Sequence, residues 1–140
     1  MKKRKKWILI PSAVLIILSA LYISWNRMII NTDFASEALL EFHLIDTSIS
    51  VTITDEDDLQ LLKQLLNGRS YYRGGLHCGF SSWVSITMTN GRRSIMFCPA
   101  HDSCPLLRIG NSCRYLELSA ESLAKFHEVL EKYGMFFPCT

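Results

Sequence analysis

Five cysteines and two of the four histidines are the residues of this 140-residue chain best suited to chemistry. Cys78, Cys98, Cys104, Cys113 and Cys139 all fall in its second half. Thiols can close disulfides, ligate a soft metal or attack an electrophile, and spacing bears on each. An odd number permits at most two bridges within the chain and leaves one thiol over. Cys78, Cys98, Cys104 and Cys139 lie in irregular segments beside predicted core elements, so these four are the disulfide candidates. Cys113 lies in a polar turn and is the expected odd cysteine. The pairing among the four stays open.

A metal is the sharper alternative. His77-Cys78 and the run from Cys98 through His101 to Cys104 bring three thiols and two imidazoles into loops flanking one predicted hairpin. Such soft sulfur and nitrogen donors suit zinc or copper(I). Closed zinc sites usually carry a C-x2-C pair, and the chain has none, so neither a metal nor another cofactor is expected. His77, Cys78, Cys98, His101 and Cys104 remain the alternative cluster of a metal- or thiol-handling protein. A redox role lacks its C-x-x-C signature. A nucleophilic Cys78 beside His77 or His101 lacks a third, orienting group. Paired carboxylates, the G-x-S-x-G elbow, a phosphate loop and H-E-x-x-H are missing too. No catalytic residue is assigned, and the chain is not expected to be an enzyme.

Compartment decides which thiol chemistry applies, and the front of the chain speaks to compartment. Trp7 to Trp25 (WILIPSAVLIILSALYISW) carries no charge and follows Lys2-Lys3-Arg4-Lys5-Lys6. About nineteen residues at about 1.5 Å each give roughly 28 Å of helix, close to a bilayer core of about 30 Å. Cleavage by a signal peptidase would want small residues at −3 and −1, which this run does not offer. Residues 7–25 are therefore read as an uncleaved, single-pass signal-anchor helix with the lipid bilayer as a partner. The basic tail, residues 1–6, is expected in the cytoplasm and everything after the helix outside the cell membrane. Extracytoplasmic cysteines usually form disulfide bonds, which favours the disulfide scaffold.

Residues 26–34 read as a short linker and residues 35–140 as one extracytoplasmic domain. The formal charge of +2 conceals a division. Five of the fifteen basic residues sit in the tail, which leaves ten against thirteen acids. With no further Lys/Arg cluster to neutralise a row of phosphates, a nucleic-acid partner is not expected.

Periodicity supplies the elements that must position the thiols. Residues 35–45 and 48–54 alternate as strands, with Ile49, Val51 and Ile53 on one face. Thr54 can cap a helix whose acidic first turn (Asp55 to Asp58) suits the helix dipole and whose Leu59, Leu62, Leu65 and Leu66 form a buried stripe. Residues 69–82 read as a long loop. Residues 83–89 and 92–98 flank Asn90-Gly91, a favoured hairpin turn pair. A two-residue loop there pairs Ile86 with Ile95 and Val84 with Phe97. Residues 106–109 and 114–118 form a second hairpin. Ser119 caps a final helix whose stripe is Leu123, Phe126, Leu130 and Tyr133.

The fold class expected is thus α+β: an N-terminal transmembrane helix, then a small antiparallel sheet with two helices packed on one face. The function expected is that of a membrane-anchored domain acting by binding in a sensing, envelope or protective role. Its partner would be another envelope or membrane protein.

Overall fold

Alternation of apolar and polar side chains builds one sheet of eight strands, every pairing antiparallel. The computed structural model describes residues 2–44, 46–74, 78–80, 83–100 and 104–136, with backbone alone for 2–11, 25–27 and 44. In chain order the elements are α1 (Lys2–Asn26), β1 (Arg27–Ile30), β2 (Glu37–Leu44), β3 (Thr47–Ile53), α2 (Glu56–Leu66), β4 (Gly68–Tyr72), β5 (Val84–Thr89), β6 (Ser94–Pro99), β7 (Leu106–Ile109), β8 (Arg114–Glu117) and α3 (Ala120–Lys132). Across the sheet the order is β1-β4-β8-β7-β6-β5-β2-β3.

The membrane expectation is corrected. Among the described residues no helix is long and apolar enough to cross a membrane. The transmembrane signal-anchor helix over 7–25 and the single-pass placement in the cell membrane are overturned by that finding. α1 runs directly into β1, which pairs with β4 from Arg27↔Tyr71 to Ile30↔Gly68.

Two strands, β1 and β4, are absent from the sequence-based plan of six. They were hidden because each is short, and the cue in Arg69-Ser70-Tyr71 is a single polar residue turned inward. Ser70 is fully buried, and its hydroxyl donates to the Met28 carbonyl at 2.8 Å, so a polar side chain occupies a core position at no loss of hydrogen bonding.

Register explains which face is buried. Ala38, Leu40 and Phe42 of β2 lie beside Met88, Ile86 and Val84 of β5, and Ile86 lies beside Phe97 of β6. These side chains join Leu107, Leu116 and the stripes of α2 and α3 in one core. Phe97 and Phe126 are its largest fully buried members. The β5–β6 pairing sits two residues from expectation: Ile86 faces Phe97, not Ile95. Asn90 stays in the ladder, its side-chain oxygen accepting from the Arg92 and Arg93 amides, so Gly91 (φ 79°) takes the first central position of the turn. A shift of two preserves side-chain parity, and Ile86, Ile95, Val84 and Phe97 keep a common face.

The helices are held at their ends as much as by their stripes. Asp55, one residue after the expected Thr54, caps α2 by accepting from the Asp58 amide at 3.1 Å. Asn67 closes it: its side-chain oxygen accepts from the Thr32 amide and hydroxyl, and its amide nitrogen donates to Asp33. Ser119 caps α3 as expected. Beyond Lys132, Gly134 (φ 89°) lets the Met135 amide reach the Leu130 carbonyl and its own amide reach Glu131, a Schellman closure. Lys132 and Tyr133 both donate to the Asp58 carboxylate and so tie α3 to α2.

Lys132, then Tyr133, holds the Asp58 carboxyl below the usual carboxylate range, while burial pushes the Tyr133 hydroxyl up to about 12. A carboxyl whose folded pKa is lowered stabilises fully above its unfolded pKa and loses that contribution as pH falls through the folded value. Asp58→Asn should therefore flatten the stability profile below about pH 4. Lys132 is 56 % exposed and water competes for it, so the loss at neutral pH should be about 1 kcal/mol or less in urea unfolding. Phe126→Ala, which empties a fully buried site, should cost about 3–5 kcal/mol in the same measurement.

Candidate functional site

Even and odd positions of each strand divide the sheet into two faces, and Cys98 falls on the face away from α2 and α3. In β6, Phe97 points into the core, so Cys98 points the other way, where it lies beside Arg108 of β7. By the same parity Tyr115 of β8 and Tyr71 of β4 share that outer face and pair with each other. Cys98 (2 % exposed), Ala100, Leu106 and Tyr115 are buried yet stand apart from the main core. They need a cover, and the chain between β4 and β5 supplies it.

That connection has a fixed task. β4 and β5 run parallel, with β8, β7 and β6 between them. Four strand spacings of about 4.8 Å make roughly 19 Å of lateral travel, and returning along the strand length makes the diagonal about 25 Å. Residues 73–83 would span about 36 Å fully extended, so the segment crosses with slack. It is fastened at both ends of its path. Near the start, the Arg73 amide donates to the Cys113 carbonyl at 3.1 Å. Near the finish, Phe80 forms a bridge with Ala100.

Phe80 packs onto the outer face. The Phe80 ring lies 5.3 Å from that of Tyr115, tilted by 41°, and Tyr115 lies 6.4 Å from Tyr71. The Arg108 guanidinium sits 5.8 Å above Phe80, while its Nε donates to the Gly110 carbonyl. The Phe80 amide donates to the Cys78 carbonyl at 2.7 Å, a tight turn that swings the Cys78 side chain toward the β6–β7 connection. There its sulfur lies 2.9 Å from that of Cys104. Burial raises the pKa of both Tyr71 and Tyr115 above the ordinary value of 10.

Of the disulfide candidates, Cys78 and Cys104 converge, Cys98 is buried in β6, and Cys139 lies outside the described residues. Cys113, the expected odd cysteine, is exposed in the β7–β8 turn. His77 and His101 of the metal alternative also lie outside the described residues. Among the described residues no group of three or more His, Cys, Asp or Glu side chains is placed to hold a metal ion. His43, in β2, packs 6.3 Å from the Trp83 ring, and half-buried His127 has its pKa lowered by burial beside Phe126.

Sequence reasoning missed the aromatic lid, Tyr71, Phe80 and Tyr115. The parity of Arg114-Tyr115-Leu116-Glu117 held a signal for Tyr115, since Leu116 and Tyr115 cannot face the same side. No protein-family model, curated protein or solved structure matches the chain.

Phe80→Ala should admit water to the Tyr115 ring. Tyr115 should then ionise closer to pH 10 in a spectrophotometric titration, with Tyr115→Phe identifying its share of the absorbance change. Protease cleavage within residues 73–83 should quicken in the same variant.

Proposed function

We propose that the chain acts by binding rather than by catalysis, and that it takes an extended peptide segment of a partner protein onto the free edge of β3. The observation that carries this is the character of that edge. β3 ends the sheet, pairs with β2 without a bulge from Ala38↔Ile53 to Leu44↔Thr47, and carries neither charge nor proline from Thr47 to Thr54.

Edge strands ordinarily carry a lysine, a proline or a bulge, because their outward amides and carbonyls template pairing with another chain. β3 has none of these guards over seven residues, about 23 Å of strand. Its backbone groups would supply affinity, as in other strand-addition complexes. Alternate side chains would supply selectivity: Ile49 and Val51 are half-buried, whereas Ser48, Ser50 and Thr52 are exposed.

Random twelve-residue peptides displayed against the full chain provide the test. Selected binders should protect the Thr47–Ile53 amides from hydrogen exchange. Replacing Ser50, whose amide faces the free edge, with Pro should weaken the better binders about tenfold, the effect of one lost main-chain hydrogen bond. Protection confined to other elements would overturn the proposal. So would β3 protection that appears with rising protein concentration alone, together with a sedimenting dimer, since the occupant would then be a second copy of the chain.

A further inference from the structure

The crossing segment between β4 and β5 holds more reach than its path requires, and one pair of side chains is placed to take up the slack. Cys78 lies midway along residues 73–83, and Cys104 lies where the chain leaves β6 for β7. Their sulfurs are 2.9 Å apart. We propose that Cys78 and Cys104 form a disulfide that locks the crossing segment onto the outer face of the sheet.

Two distances decide between a bridge and a metal. Thiolates sharing a tetrahedral zinc with bonds of about 2.3 Å stand about 3.8 Å apart, well beyond the observed separation. A disulfide needs about 2.05 Å, a closing motion of about 0.9 Å that small side-chain rotations provide. The surroundings also fit. Cys98 is buried within the strand, so its sulfur is shielded from small oxidants, whereas Cys78 and Cys104 are only partly buried. Cys113 is exposed in the turn between β7 and β8, at the opposite end of the strands from the β6–β7 connection that carries Cys104.

Formation proceeds by exchange with a low-molecular-weight disulfide such as oxidised glutathione. One of the two thiols, as thiolate, attacks the small disulfide, forms a mixed disulfide and releases one small thiol. The other then attacks the protein sulfur of that mixed disulfide and releases the second. Two protons and two electrons pass from the protein to the oxidant, and one S–S bond replaces another. The bridge closes a loop across a separation of 26 residues, containing all of β5 and β6.

The full chain, reduced and then incubated with oxidised glutathione, should be blocked with an alkylating agent, digested and mapped by mass without reduction. The expected product is a peptide pair joined through Cys78 and Cys104, two hydrogens lighter than the separate peptides. Cys78→Ser and Cys104→Ser should each abolish it, and Cys113→Ser should leave it intact. Reduction should lower the Tm of the oxidised wild-type chain by roughly 10 °C and leave the Tm of both serine variants unchanged. Recovery of Cys78 and Cys104 alkylated, or joined to other cysteines or to glutathione, would overturn the proposal. Zinc that protects both thiols of the reduced chain until a chelator is added would overturn it as well, in favour of a metal site. A Tm indifferent to reduction would overturn the locking role.

Discussion

The strand order obliges the chain to cross its own sheet twice, and most of the molecule is a response to that obligation. The first crossing leaves the β3 edge and arrives at β4, nearly the full width of the sheet away. α2 makes it on the core face, with Leu59, Leu62 and Leu66 buried against the strands. The second crossing, from β4 back to β5, uses the other face. The two journeys run in opposite directions on opposite sides and therefore share one handedness, as crossover connections between parallel strands generally do.

The two faces consequently have unequal cover. One receives two amphipathic helices, joined through Asp58, Lys132 and Tyr133, and a core of large aliphatic and aromatic side chains. The other receives Phe80 and a small cluster around Tyr115 and Cys98. A backbone bond from Arg73 to Cys113 and a bridge between Phe80 and Ala100 anchor the described residues of the second crossing, and the Phe80 ring packs on Tyr115.

Elements whose periodicity ran long were legible in the sequence. The leucine stripe of α2, the Ser119 cap of α3 and the alternation of Ile49, Val51 and Ile53 all report local geometry, and local geometry is what spacing encodes. The β5–β6 hairpin was legible in its faces but not in its register. The Asn90 side chain competes with the backbone for the turn, and that contest is settled by individual hydrogen bonds. β1 and β4 were illegible because four or five residues carry little pattern, and because the inward residue of β4 is a serine whose partner lies 42 positions away. The uncharged run at residues 7–25 resembled a membrane span by length and charge, yet among the described residues no helix is long and apolar enough to cross a membrane. The meeting of Cys78 with Cys104 was the least accessible feature, since it depends on the face over which a loop passes.

Pairing order along the sheet also differs from order along the chain. β8, at Arg114–Glu117, is the last strand to leave the ribosome, but its place is between β4 and β7. Without it, the sheet divides into a β1–β4 ribbon and a block of β7, β6, β5, β2 and β3. At about 5–20 residues per second, several seconds of synthesis separate the first strand from the one that unites the halves. The four residues Arg114–Glu117 are thus the keystone of a sheet begun at residue 27.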